Sequence, residues 1–377
     1  MTNVKNRSKR TSCFCGELKN TTGGMKAMMV WAVKKWRKTL ILLVCLAMMG
    51  LGGSDLAASI ASASGEPFAA VKVDGKFGYI DKNGELVIPA KYSRAWKFSE
   101  GLGKVLLYNK FGFIDKDGTV VILPQFDRAW DFIEGLAQVK VNGKFGFINK
   151  RGELTIPAQY EEAAPFSDGL AKVKTDGKYG YLNKAGALVI PAQFDDANSF
   201  SEGLARVRIA GKIGFIDKSG KLVIPAQYND GLDFSEGLAV AGSLGKYRYI
   251  DKTGAIAIPA QYLMAMRFSE GLAIVCVHYT KNQYAFIDKT GKIVLPAQAG
   301  YYAGYFSEGL AKVNIADKFG FIDQTGKLVI PAQFDDAEPF SNGMSVVTIK
   351  GKYGFIDKTG KMVIPAKYDE VNPRWLL

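Results

Sequence analysis

The chain has 377 residues, more than a single hydrophobic core ordinarily serves, so a plain one-core globule is excluded in favour of an array whose core grows with length. Its formal net charge of +13 comes from 49 basic and 36 acidic residues, but 10 of the basic and 2 of the acidic ones precede residue 64. The remaining 39 basic and 34 acidic residues leave +5, spread evenly, which excludes the clustered basic face that nucleic-acid binding requires.

Residues 1–63 read as a signal peptide with an extended n-region. Lys34, Lys35, Arg37 and Lys38 precede an apolar run from Leu40 to Leu51, and Ala61-Ser62-Ala63 offers small residues for cleavage after Ala63. That run falls short of the roughly 20 residues that span a bilayer, so membrane attachment is expected only if the segment is retained. Translation from Met25 or Met28 instead of Met1 gives an n-region of more usual length. Cys13, Cys15 and Cys45 lie in this leader, leaving Cys276 alone in the mature chain and excluding an internal disulfide.

Residues 64–377 form an array of nine repeats. The prolines of a Val-Ile-Pro element mark them: Pro89, Pro124, Pro157, Pro191, Pro225, Pro259, Pro296, Pro331 and Pro365, at steps of 35, 33, 34, 34, 34, 37, 35 and 34. A fixed period of this size signals a repeat architecture in which each unit leans on its neighbours for a core. Within 169–202, Gly169 to Thr175 and Lys178 to Asn183 predict two strands joined at Asp176-Gly177, the dipeptide suited to a type I′ hairpin turn. Asn183-Lys-Ala-Gly186 predicts a type I turn with a bulge, followed by a third strand, Leu188 to Ile190, that ends or lies at an edge at Pro191. The remaining Ala192 to Glu202 predict an irregular return loop or single helical turn, packing Phe194 and Phe200 under the sheet. Gly180, between Tyr179 and Tyr181, marks a close approach by an adjacent aromatic or by the next unit. The predicted core is the Leu of Glu-Gly-Leu, the Ile of Phe-Ile-Asp, the Ile of Val-Ile-Pro and the loop aromatics.

Gly-Lys-[Phe/Tyr]-Gly-[Phe/Tyr]-Ile-[Asp/Asn]-Lys-x-Gly, then Val-Ile-Pro and Phe-Ser-Glu-Gly-Leu, resembles the WG-repeat (KWG-repeat) family of bacterial proteins from about Gly65 to Asp369. Phe, Tyr or Ile stands where the family has Trp, and Arg248 and Ala285 replace the following Gly in two copies. The resemblance implies β-rich tandem repeats, often in exported or envelope proteins, and carries no catalytic residues.

The fold class expected is all-β: three-stranded antiparallel repeats of about 34 residues forming an open, twisted β-solenoid, with a closed propeller-like ring as the alternative. The repeat is shorter than the 40–45 residues of the best-known propellers and shows three strands where blades have four. The array also starts with a first strand and ends after a third, so its units look whole.

Cys276 and His278 fall on one strand face, the spacing of a thiolate–imidazole pair, but aligned copies carry Lys174 and Asp176 there, which favours a decayed hairpin. Asp115-Lys-Asp117-Gly118 begins like a calcium loop but lacks the later ligands. Glu161-Glu162, Asp195-Asp196 and Asp335-Asp336 recur at one repeat position, which favours loop caps over glycosidase carboxylates. The Lys after each hairpin Gly is expected to form a column facing charges of opposite sign. Aromatics are the better lead to a ligand: Trp96, Trp130, Tyr301, Tyr302 and Tyr305 are the candidate binding residues. The expectation is a secreted or cell-envelope repeat protein, without catalytic residues, metal or cofactor, that binds an envelope protein or a cell-wall polysaccharide; a wall hydrolase or a structural spacer is the alternative.

Overall fold

A computed structural model describes residues 68–243, 245–278, 283–296 and 302–372. The signal peptide of 1–63, its start codon and its cleavage lie outside the described residues, among which no helix is long and apolar enough to cross a membrane. The described residues fold into nine four-stranded antiparallel sheets, the blades of a β-propeller. Strands are lettered a to d within each blade.

Blade 4 shows how the repeat builds one. Strands b (Leu170–Thr175) and c (Lys178–Asn183) pair across Asp176-Gly177, whose φ values of 51° and 75° suit the expected type I′ hairpin. At the next turn the Asn183 carboxamide oxygen accepts the Ala185 and Ala187 N–H groups, while Gly186 takes φ 81°. Strand d then runs over Leu188–Phe194, straight through Pro191. The proline does not end the strand, because it sits in a bulge on the sheet edge: Tyr181 faces Ile190 and Tyr179 faces Phe194, so three residues of d span Gly180 alone. A Cβ on Gly180 would lie 2.6 Å from the Ile190 oxygen and 2.7 Å from the Ala192 nitrogen. The close approach predicted at this glycine therefore comes from its own blade's edge strand, not from an aromatic or the next unit. In blade 2, Leu123 occupies the place of Pro191, and Pro124 that of Ala192, over Gly112. This explains the paired steps of 35 and 33 without a change in unit length.

The return segment is not all loop. After Asp195 it pairs with the next unit as strand a, here Asp196–Ala197 against Arg208 and Val207 of blade 5. Each unit thus supplies three strands to its own blade and the first strand to the next. The last one, Glu370–Val371, pairs with Lys72 and Val71 of blade 1 and closes the ring. The open solenoid is thereby corrected to the ring alternative: the two residues that complete blade 1 lie beyond the ninth Val-Ile-Pro, where the sequence suggested a finished unit. Asn372 secures the joint, its N–H donating to the Ala70 carbonyl at 3.1 Å and its carboxamide to the Ala95 carbonyl at 2.7 Å.

The core lies between blades. The predicted Ile216, Ile190, Phe194 and Phe200 are all under 5% exposed. Tyr181 meets Phe200 of the next blade edge-to-face at 4.9 Å, a contact repeated as Phe113–Phe132, Phe215–Phe234 and Phe321–Phe340 and contributing about 0.5–1.5 kcal/mol each beyond burial. The Tyr181 hydroxyl donates to the Asn198 carbonyl at 2.6 Å. Each second-turn glycine rests on the aliphatic residue of the preceding blade's Val-Ile-Pro element, as Gly186 does on Ile156 and Gly220 on Ile190, with Leu295 in place of isoleucine under Gly326. Gly84 of blade 1 rests on Ile364 of blade 9 in the same way, so the noncovalent joint repeats the packing of the others.

Candidate interaction surface

Blade strands a and b carry the variation between units. Trp96 and Trp130 lie in the a strands Arg94–Ser99 and Arg128–Ile133 of blades 2 and 3, each half-buried. Trp96 tilts against Phe111 at 5.5 Å, with the Lys104 ammonium 4.9 Å over its ring, and Trp130 tilts against Phe145 at 5.6 Å. Tyr305, in the a strand Tyr302–Ser307 of blade 8, is half-buried beside the Arg267 guanidinium at 5.4 Å. Tyr301 and the Tyr302 side chain lie outside what the structure describes. The tryptophans occupy equivalent places on neighbouring blades, whereas Tyr305 stands three blades away across the closing joint.

Sequence reasoning missed a polar ladder beside the tryptophans. At the third position of strand b, Lys104, Gln138, Lys172 and Arg206 run through blades 2 to 5 and reach the next blade's strand a or the residues just after it. Lys104 pairs with Asp131 at 2.9 Å, Gln138 donates to the Ala163 carbonyl at 2.9 Å, Lys172 to Ala197 at 2.8 Å, and Arg206 pairs with Asp233 at 3.4 Å. Burial lowers the Lys172 ammonium pKa, against the opposing pull of Asp196 and Glu162. Blades 6 and 7 carry Val240 and Ile274 at this position instead. Four consecutive polar residues at one repeat position were the available signal.

The remaining chemistry resolves into structure. Cys276 is 1% exposed inside strand b of blade 7, and the His278 side chain lies outside what the structure describes. Asp115 caps its own turn through the Asp117 and Thr119 N–H groups, and no group of three or more metal-ligating side chains occurs among the described residues. Of the paired acids, Asp195 joins Lys178 of its own blade to the Ala210 N–H of the next; the Lys178 hydrogen bond foremost holds its carboxyl below the usual range. The column of lysines is thus neutralised by the residue after the loop aromatic, in blades 2, 4, 8 and 9.

The WG containing repeat family matches at residues 77–111, 111–145, 145–179, 179–212, 213–247, 247–279, 284–319, 319–353 and 353–373, and the chain belongs to this family. Among curated proteins none matches the sequence. Among solved structures, "Crystal structure of the eukaryotic initiation factor" is similar at 12% identity and a TM-score of 0.61, covering 80% of this chain and 96% of that one. BamB from Moraxella catarrhalis is similar at 14% identity and a TM-score of 0.42, over 68% and 94% of the two chains. At such identities the likeness is one of fold alone.

Proposed function

We propose that this protein is an exported, non-catalytic propeller that binds a protein of the cell envelope through the edges and ends of its blades. The observation that carries this reading is the contrast between positions within one chain. The isoleucines and aromatics between blades repeat almost unchanged, whereas strand a opens with Arg94, Arg128, Glu162, Asp196, Asp230, Met264, Tyr302, Asp336 and Glu370 in turn. A closed ring with uniform joints and individual edges suits recognition of an irregular partner surface. Export is supported by the basic and apolar order of residues 34–51 and the small residues before Ser64.

The experiment incubates the mature chain with purified envelope fractions and follows both retention and released products. Retention with no product, traced by crosslinking to a protein component, is the expected result. Product release abolished by Cys276→Ser would replace the reading with catalysis, and absence of retention would remove it.

A further inference from the structure

The first residue of strand a has a cross-strand neighbour on strand b that can meet its charge. In blade 4 Glu162 faces Lys174 and pairs with it at 3.1 Å; in blade 1 Glu370 faces Lys72 at 3.3 Å; in blade 5 Asp196 faces Arg208. In blades 6 and 9 Asp230 and Asp336 face Gly242 and Thr348 and are met instead by the Tyr247 hydroxyl and by Lys312, whereas blades 2 and 3 place an arginine here. Arg94 faces Leu106, and Arg128 faces Lys140, cation against cation. Both arginines are exposed, and neither has an ion pair or side-chain hydrogen bond among the described residues. The nearby acids are engaged elsewhere, Asp127 with Lys110 and the Asn142 N–H, Asp131 with Lys104.

Like charges directly opposite on a sheet destabilise it, so the Arg128–Lys140 pair is a local cost. It is eased only on the Lys140 side, whose ammonium lies 5.0 Å over the Phe145 ring, while Arg128 has no side-chain partner among the described residues. The two blades are also built to hold these residues firmly. Their a strands run six residues, as does that of blade 8, against two in the other blades, and they lie against each other. Trp96 and Trp130, two residues after each arginine, pack on Phe111 and Phe145.

We propose that Arg94 and Arg128, with Lys140, form a binding site for an acidic polypeptide segment, which rests on the protein-binding reading above and gives that partner its chemistry. Guanidinium forks match carboxylates in shape as well as charge. A polysaccharide fits less well, because Trp96 already has Lys104 over its ring and Phe111 beside it.

The test is fluorescence anisotropy on the mature chain with a labelled poly-aspartate peptide, alongside a poly-glutamine peptide and polygalacturonate. Saturable binding of poly-aspartate alone, falling with added salt, is expected. The Arg94→Glu/Arg128→Glu double variant should weaken it about thirtyfold, the size of two exposed ion pairs at their upper range. Arg128→Glu recreates in blade 3 the Glu162–Lys174 arrangement of blade 4, so its melting temperature should equal or exceed that of the parent. Equal binding by the double variant, preference for polygalacturonate, or no binding of poly-aspartate would each overturn the site. If the double variant is still retained on envelope fractions, the site fails alone; if the parent is not retained either, the broader reading fails with it.

Discussion

Gly180 sits under its own edge strand, and its absence of a side chain is what lets that strand bulge across. An added Cβ would meet backbone at 2.6, 2.7 and 2.9 Å, and no side-chain rotation relieves such a clash. Gly169 differs: its φ is 85°, but a Cβ there meets nothing within 4 Å. Gly180→Ala is therefore expected to cost about 2–4 kcal/mol, in the range of overpacked cores, and Gly169→Ala about 1 kcal/mol, the cost of a left-handed backbone alone. Urea denaturation of both variants checks the ranking; equal losses would show that the bulge yields. Ile190 completes the residue-scale account, since it is 1% exposed and touches both its own blade and Gly220 of the next. Ile190→Ala should cost about 2–5 kcal/mol by cavity formation, read in the same titration.

The turn between strands a and b joins each blade to the next by a different means. Glu202 of blade 5 accepts the Gly237 N–H of blade 6 at 2.9 Å and pairs with Lys252 at 3.1 Å, while Ser201 donates to the Phe234 carbonyl at 2.8 Å. Glu100 and Glu308 repeat the arrangement with Gly135 and Lys150, and with Gly343 and Lys358. Burial raises the pKa of the Glu202 carboxyl, but the Lys252 and Gly237 contacts outweigh it, so the folded value lies below the ordinary one. Stability from such a group is present above the unfolded pKa and disappears as the pH falls through the folded value. Glu202→Gln should thus lower the melting temperature at neutral pH by an amount that fades as the pH falls through the folded value, below which both side chains are uncharged. A difference that persisted in acid would assign the effect to shape instead of charge. These turns also show what was legible. The hairpin at Asp176-Gly177, the Asn183 turn and the isoleucine core follow from local chemistry, and the sequence displays them. Strand a is two residues long in blade 5, too short for any periodicity, and forms only because the next unit offers Arg208 and Val207 as partners. The candidate site was half visible: aromatics mark Trp96 and Trp130, whereas the unmet charge of Arg128 appears only once Lys140 is seen to face it.

At the scale of the ring, eight blades join strands a and b through a covalent turn, and blade 1 alone takes strand a from the other end of the chain. Whether units of this length stack openly or close depends on the angle between blades, which no single repeat encodes; that is why the closure escaped the sequence. The equivalence of the joints leads to a direct prediction. Phe68 occupies in blade 1 the place that Leu204 holds in blade 5, each donating its N–H or pairing just ahead of strand b, and Phe68 lies 5.6 Å from Phe355 of blade 9. Joining Asn372 to Phe68 through Ser-Phe-Ser-Glu-Gly, the segment that links Asn198 to Leu204, and reopening the chain between Asp168 and Gly169 gives a circular permutant with the same nine blades. It should keep the far-ultraviolet circular dichroism of the parent and unfold in one transition, because every blade still contacts two neighbours. Deleting residues 369–377 instead removes strand a of blade 1, together with the buried Val371 and the Lys352–Asp369 pair, and leaves a ring with one broken joint. That truncation should lower the melting temperature and enlarge the particle in small-angle scattering. Were the permutant to melt earlier than the truncation, the blades would not be interchangeable, and stability would reside in one special joint instead of in the closed ring.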